Sequence, residues 1–220
     1  DKVFKAALKA KQAKKDHGAE AVVDATLGTL FDENGVFVAF DSVWEPFNTI
    51  DNIQKAKYAS SIQGNPNYRT AVYEWLFGTE EISCEIIVTP GGAGAVSSTM
   101  KNILDPGQTV IKPSLAWGPY NTMAYEFGLT TTNYNLFKKN QFDMDNFKHT
   151  CKKVMKDQGK VLAIINDPCH NPSGYTMRAD EWEELISFVN NLSIKNIPTS
   201  SAGLPSGSVW NNLGILNIGT

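Results

Sequence analysis

The feature that most constrains the fold is a regular alternation of strand-like and helix-like segments between Glu85 and Asn191. Short runs of β-branched and aliphatic residues alternate with amphipathic patterns of roughly 9–13 residues, and helices of this length commonly connect parallel strands. The predicted strands are Glu85–Thr89, Thr109–Lys112, Leu129–Tyr134 and Val161–Ile165, and the predicted helices are Ala95–Leu104, Pro119–Phe127, Asp145–Asp157 and Ala179–Asn191. The sequence therefore predicts an α/β fold: a three-layer, doubly wound, mostly parallel sheet with helices on both faces.

The chain before Glu85 follows a different pattern. A lysine-rich amphipathic segment predicts a helix over Asp1–His17. A turn is predicted at Asp32–Gly35, followed by a short strand at Val36–Phe40. A further helix is expected to open at Pro66 and to end at Gly78.

The composition excludes several classes of protein. The chain has 220 residues, of which 42% are apolar and 20% charged, so it is neither disordered, collagen-like nor a disulfide scaffold. Its net charge of -3 argues against a nucleic-acid binder, which would carry an excess of basic residues. No aliphatic run approaches the length of a membrane span, so neither a membrane nor a nucleic acid is an expected partner.

The cysteines indicate the compartment. The three cysteines, Cys84, Cys151 and Cys169, are an odd number and contain no CxxC pair, so neither a disulfide framework nor a zinc ribbon is expected. The N-terminal segment lacks the apolar centre of a signal peptide. We therefore expect a reducing compartment, the cytoplasm, and no metal site.

A glycine-rich loop is the first candidate binding element. Thr89–Ala95 joins a predicted strand to a predicted helix, where glycines and a helix N-terminus together present free backbone N–H groups. A tight turn with glycines for close packing explains the loop equally well. It is not a P-loop, since no GK[ST] follows, and Ser97 stands where the dinucleotide-binding fingerprint needs Gly or Ala.

Two further loops follow predicted strands, at the sheet edge where open α/β sheets bind ligands. Trp117 lies between proline and glycine breaks and either stacks on a ligand or caps the core. Asn171 either forms a turn before Pro172 or donates its amide to a ligand oxygen. The adjacent Cys169 and His170 do not suggest a nucleophile–base pair, because neighbours in extended chain point to opposite sides. A phosphate cradle, an aromatic ring and an amide donor together fit pyridoxal phosphate.

These segments resemble a known family. Asn171–Gly174 and the following Arg178–Trp182 resemble the NP[ST]G motif and next helix of the class I aminotransferases, fold type I pyridoxal-phosphate enzymes, especially the aspartate and aromatic branch. Pro113–Tyr120 resembles the family's loop with a ring-stacking Trp. Tyr58-x5-Gly64-x4-Arg69 and Leu27-Gly28 resemble its early Tyr–Gly–Arg segment and the entry to its cleft. The resemblance covers roughly residues 20–198, in consistent order.

The resemblance implies roles for the cofactor-binding residues. The backbone around Gly92 and Ala93 would hold the phosphate of pyridoxal 5'-phosphate. Trp117 would stack on the pyridine ring, and Asn171 would donate a hydrogen bond to the phenolic oxygen. Gly91 and Ala93 stand where many members carry hydroxyl side chains, so some bonds to the phosphate would be lost while the backbone donors remain.

The resemblance also implies partners and an activity. Tyr58 would reach the phosphate in the neighbouring subunit of a homodimer, and Gly28 would lie near the substrate. The full-length protein would be an aminotransferase that moves an amino group between an amino acid, of aspartate or aromatic type, and a 2-oxo acid. Two alternatives stay open: a pyridoxal-phosphate-dependent lyase or synthase on the same fold, and a catalytically inactive module that binds the cofactor or dimerises.

The C-terminal segment departs from the family. After Pro198 the family has an Asp that pairs with the pyridine nitrogen, a Tyr, the Schiff-base Lys and substrate-binding arginines. From Thr199 to Thr220 this chain contains no Asp, Glu, Lys or Arg. No catalytic residue is therefore assigned, and the fold is expected to be incomplete at the C-terminus. The expected domains are 1–40, an N-terminal helix and segment of the small domain; 41–198, part of the large cofactor-binding domain; and 199–220, a tail without an interpretable pattern.

Overall fold

The computed structural model describes residues 2–26, 28–192, 209–212 and 215–218. The chain forms two compact units, residues 1–86 and residues 87–220. This boundary differs from the expected domain division at residue 40, which concerns the domains of a complete enzyme and stays a prediction. Within the described ranges, no helix is long and apolar enough to cross a membrane.

The first unit is helical. It contains α1 (Lys2–His17), a 3-10 turn (Ala19–Ala21), α2 (Asp41–Thr49), α3 (Asn52–Ala56) and α4 (Pro66–Phe77). The predicted ends of α1 and α4 are confirmed. Helix α4 begins as predicted because the Asn65 side chain accepts hydrogen bonds from the free N–H groups of Asn67 and Tyr68.

The predicted strand Val36–Phe40 is wrong. The turn before it forms as expected, with the Asp32 carboxylate accepting hydrogen bonds from the N–H groups of Asn34 (2.9 Å) and Val36 (2.8 Å). The only ladder contact of this segment in the described chain is one antiparallel bridge between Phe31 and Phe37. A strand needs a partner for its backbone groups, and one bridge does not extend into a ladder.

The second unit alternates helices and strands. Its elements are α5 (Gly91–Ile103), β1 (Thr109–Pro113), α6 (Pro119–Glu126), β2 (Thr130–Tyr134), β3 (Phe137–Lys138), β4 (Gln141–Phe142), α7 (Met144–Gln158), β5 (Leu162–Ala163), α8 (Ala179–Asn190), β6 (Val209–Asn212) and β7 (Ile215–Ile218). Strands β2, β1 and β5 form a parallel sheet in that order, with Ile111 of β1 opposite Thr132 and Ala163. The predicted alternation is confirmed from β1 to α8.

The predicted strand Glu85–Thr89 is wrong. This run is not assigned to a strand and has no neighbouring strand in the described part of the chain. The carbonyl of Ile86 instead accepts a hydrogen bond from Nε of Arg69 at 2.6 Å. β-Branched residues favour an extended backbone, but a sheet strand also needs another strand within hydrogen-bonding distance.

Two hydrophobic clusters cover the two faces of the parallel sheet. Ile111 belongs to a cluster that includes Phe147 of α7 and Leu185 of α8. Val110, its neighbour in β1, belongs to a second cluster that includes Met100 of α5 and Ala124 of α6. Since consecutive strand residues face opposite sides of a sheet, β1 is buried on both faces, as the three-layer prediction requires.

The C-terminal pair β6 and β7 is antiparallel, with Val209 opposite Ile218. The predicted tail 199–220 otherwise lies outside the described residues. The hairpin of β3 and β4 was not predicted. Its turn residues Lys139 and Asn140 have φ of 51° and 63°, the left-handed conformation that a two-residue hairpin turn requires.

Candidate functional site

The first turn of α5 presents free backbone donors. Gly91 has φ of 65°, a conformation that glycine adopts without strain. The N–H of Gly94 donates to the Pro90 carbonyl at 3.2 Å, whereas the N–H groups of Gly92 and Ala93 have no hydrogen-bond partner in the described chain. The helix begins at Gly91 and not near Ala95 as predicted, so the glycines form its first turn. Free N–H groups at a helix N-terminus are suited to bind an anion.

Gly94 is required for this turn by close packing. A Cβ atom at Gly94 would lie 2.7 Å from Cδ of Pro90, well inside van der Waals contact. A Cβ at Gly92 would meet no atom within 4 Å. The two glycines therefore differ: Gly94 lets the chain turn tightly at Pro90, and Gly92 leaves open space beside its N–H.

Trp117 follows β1 at the carboxyl edge of the sheet. Its side chain is partly covered, with 36% of its surface exposed. The edge of one ring meets the face of the other in the pair Trp117–Tyr120, at a centroid distance of 5.5 Å and an interplanar angle of 84°. Ala116, the residue before it, packs against the cluster around Val110. The Trp117 ring therefore packs against the buried ring of Tyr120, but Trp117 itself does not belong to the hydrophobic core.

Asn171 lies in the loop that follows β5. Its backbone N–H donates to Oδ1 of Asn166 at 2.6 Å, and its side-chain amide makes no hydrogen bond to any described residue. The loop is closed by the N–H of Gly174, which donates to the His170 carbonyl at 2.6 Å. The amide of Asn171 is therefore available to a ligand while the backbone beneath it is held.

His170 is a buried residue of the loop that carries Asn171. Its ring is buried, and Nδ1 shares a hydrogen bond of 2.8 Å with Oγ of Ser173. Burial lowers the pKa of His170, and the nearby carbonyl of Leu115 partly offsets that effect. Cys169 has φ of 56°, so the chain here is not extended as the sequence argument assumed. Because β1 and β5 are adjacent, their following loops lie side by side at one edge.

A buried carboxylate that the sequence did not reveal anchors the Asn171 loop. Glu181, near the start of α8, accepts hydrogen bonds from the hydroxyl of Tyr175 (2.7 Å) and the N–H groups of Phe142 (3.0 Å) and Arg178 (2.9 Å). Burial alone would raise the pKa of Glu181, but these bonds and the Arg178 charge hold it below its usual value. The S/T-x-x-E form of capping box would have indicated Glu181, but here the first position is Arg178.

Lys112 is a second residue that no sequence motif marked. It belongs to β1, only 7% of its surface is exposed, and burial lowers the pKa of its amine. It has no ion pair or hydrogen bond with any described residue. A lysine inside an otherwise apolar strand was the sequence signal that could have marked it.

Tyr58 and Gly28 belong to the first unit, whereas the residues above belong to the second. Tyr58 is 96% exposed and lies between α3 and α4. A Cβ atom at Gly28 would meet no other atom within 4 Å, so the surroundings of this glycine are open. The predicted roles of both residues stay predictions.

The residues of the second unit fit pyridoxal phosphate. The free N–H groups of Gly92 and Ala93 suit a phosphate, the exposed part of Trp117 suits an aromatic ring, and the unbonded amide of Asn171 suits a phenolic oxygen. No acidic residue lies in the first turn of α5 to repel an anion. Among the described residues, no group of three His, Cys, Asp or Glu side chains is placed to hold a metal ion.

The chain is similar to known aminotransferases. The family described as aminotransferase class I and II matches residues 27–194. A solved aminotransferase from Anaerococcus prevotii superposes with a TM-score of 0.80 at 34% identity, covering 86% of this chain and 47% of that one. The aspartate aminotransferase of Musicola paradisiaca is 28% identical over 54% of this chain and 30% of its own length.

The aromatic-amino-acid aminotransferase of Paracoccus denitrificans is 20% identical over 76% of this chain and 43% of its own length. The chain thus spans less than half the length of each of these three relatives. The predicted α/β fold, that of the fold type I transferases, is confirmed by these similarities. This chain belongs to the aminotransferase class I and II family.

Proposed function

We propose that this chain supplies the cofactor-binding part of a pyridoxal-phosphate-dependent aminotransferase. The observation that carries the proposal is the presence of three complementary groups in one unit: free N–H donors at α5, a partly exposed Trp117 and an unbonded Asn171 amide. Each matches one part of the cofactor: the phosphate, the pyridine ring and the phenolic oxygen.

The protein's contribution is binding and orientation. Pyridoxal phosphate, when bound, supplies a ring that withdraws electrons from the substrate. Gly92 and Ala93 fix the phosphate end, Trp117 covers one face of the ring and excludes water from it, and Asn171 donates a hydrogen bond to the phenolic oxygen. Transfer proceeds in two halves: the amino group leaves an amino acid in the first and is received by a 2-oxo acid in the second.

The substrate is an amino acid of aspartate or aromatic type. This proposal rests on the names of the similar proteins, which include an aspartate and an aromatic-amino-acid aminotransferase. Gly28 is proposed to border the substrate. The enzyme is proposed to act in the cytoplasm, where the three free cysteines would remain reduced.

The assembly is proposed to be a homodimer in which Tyr58 reaches the phosphate of the neighbouring site. The first unit supports this proposal because none of its described side chains is buried, while large apolar residues such as Trp44, Ile53 and Trp75 are exposed. Apolar surface of this extent usually marks an interface. The partner would be a second copy of the chain, and the Tyr58 of each copy would reach the phosphate bound by the other.

A second candidate is a catalytically inactive module that binds the cofactor without a covalent bond. It is favoured by one feature of the sequence, the lack of any lysine after Lys195. Without a lysine at the family's position, no amine is assigned to bind the cofactor covalently or to carry the proton during transfer.

Absorbance spectroscopy distinguishes these candidates. Pyridoxal phosphate is added to the chain, and near-ultraviolet and visible spectra are recorded before and after borohydride. Saturable binding that Trp117→Ala and Asn171→Ala together abolish supports the site. A borohydride-stable adduct that depends on the same residues favours the enzyme, and binding without an adduct favours the inactive module. Failure to bind the cofactor would overturn the site assignment.

A further inference from the structure

We propose that the Lys112 ammonium is an additional ligand of the phosphate group at the first turn of α5. The inference rests on the proposed function for the identity of the phosphate, which belongs either to pyridoxal phosphate or to free inorganic phosphate. The sequence motifs gave this lysine no role. Three observations support its placement at the phosphate.

The first observation is the face of the sheet on which Lys112 lies. Val110 belongs to the cluster that contains Met100 of α5 and the following Leu104, whereas Ile111 belongs to the cluster on the opposite side of the sheet. Side chains alternate along a strand, so Lys112 shares the face of Val110 and lies on the side covered by α5 and α6.

The second observation is the direction of α5. Lys160, just before β5, donates to the carbonyl of Ile103 at 3.3 Å and to Asp105 at 3.0 Å, so the C-terminal end of α5 lies at the amino edge of the sheet. The N-terminal turn of α5 is therefore directed toward the carboxyl edge, where β1 ends just after Lys112.

The lengths of the two elements allow this placement. Two strand residues rise about 6.6 Å, which corresponds to about four residues of a helix. If Val110 is level with Met100, the backbone of Lys112 is level with Val96. The four-carbon stem of lysine covers about one further helical turn of 5.4 Å, which reaches the level of Gly92 and Ala93.

The third observation is charge. Lys112 is 7% exposed and has no ion pair or hydrogen bond with any described residue. The segments 89–104 and 113–120 contain no Asp or Glu. The Nζ atom of Lys112 has no hydrogen-bond partner in the described chain and is not fully enclosed, so the ammonium is available to a ligand. An anion with several oxygens, such as phosphate, satisfies both the ammonium and the N–H groups of Gly92 and Ala93.

An ammonium group at this turn would also compensate for the absence of hydroxyl side chains at Gly91 and Ala93. Gly91 and Ala93 supply no side-chain hydroxyl to a phosphate, so the backbone alone would provide its hydrogen bonds at this turn. An ammonium group adds a charge-assisted bond, which is roughly twice as strong as a neutral one.

The test compares Lys112→Met with Lys101→Met. Lys101 is an exposed residue in the last turn of α5, so its replacement changes the net charge equally but far from the site. Binding of pyridoxal phosphate, pyridoxal and inorganic phosphate to the 220-residue chain is measured by calorimetry at one ionic strength. We expect Lys112→Met to weaken the binding of pyridoxal phosphate and of inorganic phosphate by about tenfold or more. The same variant should change pyridoxal binding by less than about twofold. Lys101→Met should leave the binding of all three ligands unchanged.

The possible results separate the failure of this inference from the failure of the proposed function. If Lys112→Met binds pyridoxal phosphate as tightly as the wild type, the lysine is not a phosphate ligand, and the proposed function stands. If phosphate binding depends on Lys112 but pyridoxal phosphate and pyridoxal bind no better than phosphate, the inference stands and the proposed function fails. A pyridoxyl group found on Lys112 after borohydride would show that the amine bonds to the aldehyde carbon with loss of water, and would also overturn the inference.

A second measurement does not require the variant to fold. The ¹³Cε resonance of Lys112 in the wild-type chain reports the pKa of its amine. Phosphate bound next to the ammonium should raise that pKa, because a nearby negative charge favours the protonated form. An unchanged titration at saturating phosphate would contradict the proposal.

Discussion

At the scale of single residues, buried polar groups hold the loops of the site in place. Glu181 accepts hydrogen bonds from three different segments, the β3–β4 hairpin, the loop after β5 and the start of α8. Nε2 of His170 is, by contrast, the one buried side-chain nitrogen or oxygen without a hydrogen-bond partner in the described chain. The satisfied carboxylate stabilises the Asn171 loop, so its loss should be visible in the stability of the whole unit.

Replacement of Glu181 by Gln should lower the free energy of unfolding by about 1–3 kcal/mol at neutral pH, because buried donors lose a charged acceptor. The pKa of Glu181 is lower in the folded than in the unfolded chain. Its contribution is therefore present above the ordinary glutamate pKa and is lost as the pH falls through the lowered value. The difference between the wild type and the variant should shrink below about pH 4 in urea denaturation curves.

Glu184→Gln is the matched control for this experiment. Glu184 lies on the same helix, but its side chain is 53% exposed and pairs with Lys148 at 2.7 Å. An exposed ion pair contributes less than about 1 kcal/mol, so the control should stay close to the wild type. Equal losses in the two variants would mean that the buried network does not anchor the loop.

Trp117→Ala should weaken the binding of pyridoxal phosphate more than it lowers stability. Stacking contributes about 0.5–1.5 kcal/mol beyond the buried area, so we expect a loss of affinity of roughly threefold to tenfold or more. Trp117→Phe keeps an aromatic ring and should recover part of the affinity. Tyr125→Ala, at a position of the second unit that is 80% exposed, should change neither quantity. A large fall in stability with unchanged affinity would show that Trp117 supports the fold and does not contact the cofactor.

At the scale of elements, the start of α5 and the carboxyl edge of the sheet form the candidate site. The tight contact between Gly94 and Pro90 lets the helix begin early, at Gly91, and leaves the next two N–H groups free. The position of one helix terminus therefore decides how many donors face a ligand. A side chain at position 94 should push against Pro90 and disturb the start of α5.

Gly94→Ala should lower the free energy of unfolding by about 1–3 kcal/mol, because the added methyl group must displace the Pro90 ring. Gly92→Ala adds the same atom where nothing lies within 4 Å. That variant should be as stable as the wild type or up to about 1 kcal/mol more stable, since alanine favours helix more than glycine does. Thermal and urea denaturation of both variants checks the difference, and equal stabilities would contradict the packing argument.

At the scale of the whole molecule, the two units differ in how they bury apolar surface. The second unit has two clusters on the faces of one sheet, whereas no described side chain of the first unit is buried. A unit without buried side chains depends on contacts beyond itself for its stability. The proposed homodimer is one assembly that would supply them.

A mixing experiment tests whether Tyr58 acts across a dimer. Chains carrying Trp117→Ala and chains carrying Tyr58→Phe should each bind pyridoxal phosphate more weakly than the wild type. When the two are mixed and allowed to exchange, each mixed dimer should contain one site with both Trp117 and a partner tyrosine. Calorimetry should then detect a fraction of sites with wild-type affinity. Without such a fraction after exchange, verified by mass spectrometry of the mixed dimer, Tyr58 does not act in trans.

Local patterns in the sequence were sufficient for most of the second unit. Periodicity and turn residues, which act over a few positions, were enough to predict three helices and two strands. The helices begin at or near Pro119, Met144 and Ala179, and the strands begin near Thr109 and Thr130. The loops with Trp117 and Asn171 followed from their place after strands. The run Glu85–Thr89 failed because a strand depends on a partner that its own residues do not specify.

The order of amino acids alone was enough to predict the alternation of elements, the family and the three loops proposed to bind the cofactor, because those features lie in short continuous segments. Which polar groups are buried, and what they contact, depended instead on the folded chain. Lys112 becomes mostly buried because β1 lies between two other strands, and Glu181 gains Phe142 and Tyr175 as donors because the hairpin and the loop fold against α8. Burial and long-range hydrogen bonds depend on segments that are distant in the sequence, and they set the charge and the position of groups at the site.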